Sequence, residues 1–421
     1  MTIHDDQQLL PKDGAGDVNR ADVERLDLNT ELVTVNMGPQ HPATHGVLRL
    51  VLTLDGEVVV SAQPQVGYLH RGIEKIAETM TLHQAIPYTD RMDYLSPISN
   101  NIGLAGAVEK LIQFQVTEKC RVMRVVCCEM ARISSHILWL ATTALDIGAA
   151  TVYFYAFTER EKYYDLFEKM TGARFTVSYG RIGGLARDWE PGLAEEILRV
   201  VRETPKAIKE CENLLSRNRI WIERNQDVGP ISADDAIDLG LSGPNLRASG
   251  VEWDIRKAYP YFGYDHYDFE IPVGEHGDCY DRYLVRMEEI RQSVKIIEQA
   301  LKEYDPSLPL FPQDEQSRKI FLPPKERVLT KMEELIHQFI VATEGPKTPL
   351  GKEIYFAIEA PKGELGFYLV GSGTNVAHRC HFRSPSFVSL QGLPIMVKGQ
   401  MIADVIATVA SLDPVLGEVD R

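Results

Sequence analysis

Hydrophobic and polar positions change period along this chain. Leu32-Val33-Thr34-Val35 and Val47-Leu48-Arg49-Leu50-Val51-Leu52-Thr53-Leu54 carry the two-residue alternation of strands, the second imperfectly, within a strand region at 31–62. The next stretch has helical periodicity. Tyr68-Leu69-His70-Arg71-Gly72-Ile73-Glu74-Lys75 leads into a helix through about residue 85, and a loop holds Tyr88 to Leu95. Asn100–Phe114 reads as helix, and Glu118 to about Tyr164 as long helical territory broken near Gly148. Arg174–Gly184 is a turn-rich connector, and 192–226 is an amphipathic helix whose alternating charges suit a solvated face. Beyond Val228, Gly240–Gly250 reads as a glycine-punctuated loop and aromatic residues cluster from Trp253 to Phe269. Helix returns at 280–303, followed by a proline-rich exposed stretch at 304–328. Strands are expected at Glu353–Ala360, Leu365–Val370 and His381–Arg383, with a last helix at Ile402–Ser411. The predicted fold class is α+β, mainly α, with a central helical bundle and peripheral strands near both ends. Its expected divisions are a flexible acidic tail at 1–30 and one domain at 31–421. The domain comprises a hairpin region (31–65), a helical bundle (66–228) and a mixed C-terminal part (229–421).

Two stretches of this pattern call for chemistry. Ile137–Thr158 is apolar with Asp146 as its only charge, long enough to cross a bilayer. A carboxylate near its middle is costly there, so a buried core helix is the expected form. On the same helix, Arg121, Arg124, Glu129, Arg132 and His136 have the spacing of ion pairs along one face. The other stretch is the loop Gly38-Pro39-Gln40-His41-Pro42-Ala43-Thr44-His45-Gly46. Its histidines are four apart, as helical zinc ligands are, but Pro42 and Gly46 oppose a helix and no glutamate stands between them. A stiff loop between two strands is a good place to present polar side chains.

The 421 residues suffice for a substantial core, with the composition of a soluble globular protein. A net charge of -15 and the lack of a basic stripe argue against nucleic acid as a partner. Cys120, Cys127, Cys128, Cys211, Cys279 and Cys380 form no C-x-x-C, which excludes the usual zinc-ribbon and ferredoxin spacings and suits reduced thiols in the cytosol. Residues 1–30 carry seven acids and three bases, and no signal peptide is read there. Gly371-Ser372-Gly373 hints at a dinucleotide fingerprint but has Val376 where a third glycine would stand and no good crossover helix after it. No P-loop, G-x-S-x-G elbow or catalytic-cysteine context points to a hydrolase.

Six words in one order carry a resemblance: Gly38–Gly46, Tyr68-Leu69-His70-Arg71-Gly72, Arg91-Met92-Asp93-Tyr94, Leu145-Asp146-Ile147-Gly148, Leu246-Arg247-Ala248-Ser249-Gly250 and Ser411-Leu412-Asp413-Pro414. From about residue 31 onward the chain resembles the 49 kDa subunit family of respiratory complex I, the D-subunits of NADH:quinone oxidoreductase. That family is related to the large subunit of nickel–iron hydrogenases, which implies the same fold here. Hydrogenases place cysteine pairs at positions matching Arg91–Tyr94 and Asp413–Glu418. This chain has no thiolate at either place, and soft nickel–iron ligation needs thiolates, so the resemblance implies no metal held by this chain.

The resemblance implies a cavity where quinone is reduced, ubiquinone or menaquinone. Its residue-by-residue match gives His45 and Tyr94 as donors to the quinone head group and Asp146 as the carboxylate partnering His45, leaving His41 structural. Arg71 and Arg91 match two arginines that approach the terminal [4Fe-4S] cluster of the neighbouring B-subunit; local ion pairing with Glu74, Asp90 or Asp93 is their plainer explanation. NADH and FMN belong to other subunits. The implied partners are the B-, C- and I-subunits and the membrane-embedded H-subunit, and the implied location is the cytoplasmic face of the inner membrane, peripheral. The alternatives are a non-catalytic scaffold of the same complex or a part of a membrane-bound hydrogenase-like complex. Many relatives have histidine after Ala-Arg-Phe or Ala-Arg-Met, where Ala173-Arg174-Phe175 is followed by Thr176. Threonine does not titrate near neutrality, so the cluster potential is expected to depend less on pH in this protein.

Overall fold

The structure, a computed structural model, describes residues 32–44, 46–312, 314, 317 and 320–421. The acidic tail expected at 1–30 therefore lies outside the described residues, as does His45.

Strands β1 (Val33–Met37), β2 (Arg49–Asp55) and β3 (Val58–Gln65) form an antiparallel sheet in sequence order. In β2 every second residue is buried, so Leu50, Leu52 and Leu54 face the core as the alternation predicts. The loop between β1 and β2 contains a 3-10 turn at Pro42–Thr44, where Thr44 is buried and its hydroxyl donates to the carbonyl of His41 at 2.8 Å.

Helices α1 (Ile73–Ala77) and α2 (Leu82–Thr89) replace the single helix expected there. Thr81 divides them by starting a new helix, with a capping box to Gln84. Next come α3 (Pro97–Ile112), α4 (Glu118–Asp146), α5 (Ala150–Thr171), the small hairpin β4 (Gly180–Arg181) and β5 (Gly184–Leu185), and α6 (Leu193–Leu215). The break near Gly148 is present: this glycine takes φ +99° between α4 and α5. The buried-helix expectation for 137–158 holds only for its first part. Leu145, Phe154 and Tyr155 around the break are exposed, because the two helices part there.

Short helices α7 (Arg219–Glu223), α8 (Ala233–Asp238), α9 (Gly243–Ala248) and α10 (Ile255–Ala258) follow. The expected loop at 240–250 is thus largely helix, with Pro244 in its first turn, where a missing N–H costs nothing. Long α11 (Cys279–Glu303) packs along α4 and α6. In the stretch expected to be exposed after it, Leu310 and Phe321 are buried and Phe311 stacks on Phe321. Helices α12 (Lys325–Val328) and α13 (Met332–Thr343) precede the sheet β6 (Glu353–Ala360), β7 (Gly363–Gly371) and β8 (Ala377–Arg383), again antiparallel in sequence order. Gly371-Ser372-Gly373 therefore begins a hairpin connection between antiparallel strands, with no crossover helix. The described chain ends in α14 (Pro385–Val397), α15 (Ile402–Leu412) and α16 (Leu416–Asp420).

Helix α4 organises the main core. Nearly every residue from Lys119 to Ala144 is buried, so its charges find partners mainly on other elements instead of along one face. Arg124 forks onto Glu109 of α3 at 2.6 and 2.7 Å, and His136 pairs with Glu289 of α11 at 2.8 Å. Arg132 reaches Glu129 at 3.1 Å and the main-chain oxygens of Glu359 and Ala360 at 2.5 and 3.1 Å. Those last contacts draw the β6–β7 turn inward. Gly243 and Gly363 cross so closely that a Cβ on Gly243 would lie 2.4 Å from the Cα of Gly363, which only two glycines permit. A second core joins the first sheet to α14, α15 and α16.

Candidate functional site

Three stretches far apart in sequence meet at one junction: 66–72 after β3, 90–95 after α2, and 413–421 around α16. Asp420 receives the N–H groups of Gly67 (2.8 Å) and Leu69 (2.6 Å) on its two carboxylate oxygens. His70 Nδ1 lies 2.6 Å from the Asp420 carbonyl. Arg71 donates through Nη2 to the carbonyl of Arg91 at 2.7 Å and reaches that of Gly417 at 3.4 Å. Gly417 is a point of close contact. A Cβ there would sit 2.7 Å from the carbonyl oxygens of both Arg91 and Met92 and 3.0 Å from Tyr94 Cδ1.

Tyr94 is half-buried at this junction and borders a small cleft lined also by Ile98, Ala131, Tyr164, Arg174 and Phe175. Burial, then the carboxylates of Asp93 and Asp413, raise the pKa of its phenol, while Arg71 acts the other way. Tyr94 therefore keeps its proton at neutral pH and is a hydrogen-bond donor.

Arg71 and Arg91 stand together beside Tyr94. Burial first and then the Arg91 cation lower the proton affinity of Arg71. Arg91 is exposed and donates to the carbonyl of Pro87 at 2.6 Å. The acids nearest to them in sequence make other contacts. Glu74 is 3.0 Å from His381 and accepts from the N–H of Phe382, Asp90 accepts from Ser178 at 2.6 and 3.0 Å, and Asp93 accepts from the N–H of Leu95.

Asp146 is the last residue of α4, at the helix break. This end of α4 rests on α15: Trp139 donates to the Ala410 carbonyl at 2.8 Å, and Ile147 packs against the small buried cluster of Val228, Cys279 and Ala407. The 3-10 turn at Pro42–Thr44 packs on α15 as well, and a Cβ on Gly46 would lie 3.7 Å from Leu416 Cδ1. The structure thus gathers Tyr94, Arg71 and Arg91 at one junction. It sets the end of α4 and the histidine loop on the helix that leads into that junction.

Sequence reading names Asp93 only as an ion-pair candidate and Asp413–Glu418 only as a stretch without thiolates, and does not bring these acids together. Asp93, Asp413 and Glu418 are buried with Lys362. Lys362 Nζ lies 2.5 Å from Asp413 Oδ2 and donates to the Ser135 hydroxyl at 2.6 Å. Glu418 Oε2 accepts from the Ser386 hydroxyl at 2.5 Å. Among the described residues, Asp93 Oδ2 and Glu418 Oε1 accept no hydrogen bond. Burial above all, with the charge of Asp93 adding, pushes Glu418 up to about 8. Burial also raises Asp93, with Lys362 opposing and Asp413 adding. Lys362 gives no warning in the sequence, because Pro361-Lys362 joins two strands and a lysine in such a turn is ordinarily solvated. Here the turn is drawn into the core.

The donor set does not suit a soft metal. Asp93, Asp413 and Glu418 are hard oxygen donors, and among the described residues no group of three or more His, Cys, Asp or Glu is arranged to hold a metal ion. Burial raises the thiols of Cys120 to about 11 and Cys128 to about 12, which keeps them protonated. Among the described residues no helix is long and apolar enough to cross a membrane.

The sequence model of the family described as the 49 kDa subunit of respiratory-chain NADH dehydrogenase matches residues 146–421. This sets the class: a subunit of a respiratory-chain oxidoreductase. Whole-chain likeness extends further. The NADH-quinone oxidoreductase D-subunit of Methylacidiphilum infernorum is 54% identical over 391 residues, covering 93% of this chain and 92% of that one. The D-subunit of Geotalea uraniireducens is 52% identical over 393 residues, covering 93% and 100%, and the second D-subunit of Chloroflexus aurantiacus is 53% identical over 395 residues, covering 93% and 95%. The chain belongs to this family of 49 kDa subunits, and its partners are other subunits of the complex.

Proposed function

We propose that this chain forms the quinone-reducing pocket of the complex, on a fold like that of the hydrogenase large subunit, in the peripheral arm on the cytoplasmic side of the membrane. Two-electron reduction of a quinone creates anionic oxygen that needs hydrogen-bond donors and two protons. Tyr94 and His45 hold the head group, and Asp146 orients His45 and favours its charged form. Electrons from NADH arrive through other subunits. Arg71 and Arg91 face the terminal [4Fe-4S] cluster held by the B-subunit, where nearby cations stabilise the reduced, more negative state. The C-, I- and H-subunits complete the surroundings.

The observation that carries this reading is the junction itself. A protonated tyrosine, two adjacent arginines and buried acids meet on the words that the sequence shares with the family. The test is quinone reduction by the assembled complex carrying Tyr94→Phe or His45→Ala. Loss of one donor is expected to lower turnover by roughly 10²–10³-fold. Oxidation of NADH by a hydrophilic artificial acceptor, which bypasses the pocket, stays at wild-type level. Unchanged turnover with short-tail quinones in both variants would assign the chain a purely scaffolding role.

A further inference from the structure

We infer that Asp93 and Glu418 share one proton at neutral pH and that this pair is the proton store behind Tyr94, replenishing the proton the tyrosine donates. The role rests on the proposed function. The sharing itself does not.

The geometry is a count of buried charges. Glu418 accepts from Ser386 of α14 and lies in the field of Asp93, from the loop after α2, and of Lys362, from the β6–β7 turn, while Asp413, in the turn before α16, acts on Asp93 and pairs with Lys362. Arg286 of α11 acts on Asp413, and Tyr94, Arg71 and Arg91 border the junction on its other side. Of the cations around the three acids, Lys362 is given directly to Asp413 and Ser135. Arg286 donates to Asn245 and a main-chain carbonyl and lies over the ring of Trp139. That leaves Asp93 and Glu418, whose chain segments touch at Gly417, buried in one cluster with only a share in Lys362, each with one oxygen that accepts no hydrogen bond among the described residues. Two carboxylates so placed do not both ionise, and the bound proton lowers the cost of burying them. The raised affinity of Glu418 agrees with this count.

The proton balance is simple. When a reduced quinone oxygen takes the Tyr94 proton, the phenolate forms beside the acid pair. The pair gives up its proton, the phenol is restored, and one negative charge moves to the carboxylates near Lys362. The pair refills from solvent in the next cycle, so its protonation state limits turnover at alkaline pH.

The test uses the assembled complex and two readouts. In the first, infrared difference spectra between pH 6 and pH 10 follow the carbonyl stretch of protonated carboxylic acids without turnover. One such band is expected to titrate in the wild type near the value of about 8 given to Glu418. It should vanish in Glu418→Gln, whose amide still accepts from Ser386. In Asp93→Asn it should titrate at lower pH, because a like charge has gone. In the second, quinone reduction in the wild type falls across the same pH range, and Glu418→Gln removes that step while the artificial-acceptor reaction stays unchanged. Absence of the band in the wild type, or its persistence in Glu418→Gln, overturns the inference whatever the fate of the quinone reading. A band that behaves as expected together with the same alkaline step in Glu418→Gln overturns the store's role in turnover. Should Glu418→Gln fail to assemble, the wild-type band and the direction of its shift in Asp93→Asn decide the matter. Wild-type turnover in Tyr94→Phe and His45→Ala counts against the quinone reading alone, since it leaves the band untouched.

Discussion

Gly417→Ala adds one methyl group at the point where α16 touches the Tyr94 loop. The new carbon would sit 2.7 Å from two carbonyl oxygens and 3.0 Å from the tyrosine ring. Ordinary carbon–oxygen contacts lie at about 3.3–3.6 Å, so something must retreat by roughly 0.6–0.9 Å. The backbone of Asp420 is tied to Gly67 and Leu69 by the aspartate side chain, and Arg71 clasps Arg91 and Gly417 together. The freest element is therefore the 91–94 loop with its tyrosine. Overpacking of this kind costs about 1–3 kcal/mol, and a displacement near 1 Å of a positioned group lowers turnover by up to about 10²-fold. The assay is kcat for NADH-driven quinone reduction in intact complex, beside NADH oxidation by an artificial acceptor. Gly366→Ala is the matched control: its Cβ would lie 2.1 Å from Tyr355 Oη, within the β6–β8 sheet and away from Tyr94. It should affect yield or thermal stability without selective loss of quinone turnover. Wild-type turnover in Gly417→Ala, or equal selective losses in both variants, would refute the assignment of this contact to the site.

Two further outcomes follow from buried polar groups. Asp420→Asn keeps the shape but removes the charge that receives two N–H groups, and should loosen the 66–72 loop at a cost of about 1–3 kcal/mol, measured as faster hydrogen exchange at Gly67 and Leu69 in the complex. His136 is buried and its pKa is lowered to about 4, by burial above all, against the pull of Glu289. The unfolded chain therefore binds more protons than the folded one between about 4 and 6.5. The His136 contribution is complete above 6.5 and is lost as pH falls toward 4, by on the order of 3 kcal/mol over the whole interval at about 1.4 kcal/mol per unit. His136→Gln, still able to donate to Glu289, should flatten the acid side of the thermal-stability profile of the complex; an unchanged slope would mean that His136 is not the group responsible.

How much of this is legible in the sequence depends on the element. Strands β1 and β2 declare themselves by alternation, and the break at Gly148 by its glycine, because local pattern and local structure agree there; β3 is expected only as part of the strand region 31–62. The 240–250 stretch misleads, since its glycines and proline suit helix ends as well as loops, and α13, α14 and α16 are not foreseen. Tyr94, Arg71 and Arg91 stand out only through the shared words; nothing in their periodicity marks them. Lys362 and Glu418 illustrate a different limit. A lysine in a two-residue turn and a glutamate in a short helix are usually solvated, and what buries them is the crossing of Gly243 with Gly363 and the approach of Gly417 to the Tyr94 loop. Such contacts join residues that no window along the chain sees together.

The junction also has a consequence in time. Arg71 and Gly417 are 346 residues apart. At 5–20 residues per second a ribosome takes roughly 17–70 s to travel that distance. For most of that interval the Arg71 and Tyr94 loops exist without the third wall that fixes them. The junction therefore cannot close before the residues around Gly417 have been made, and any factor that shields this face during assembly has to act before then.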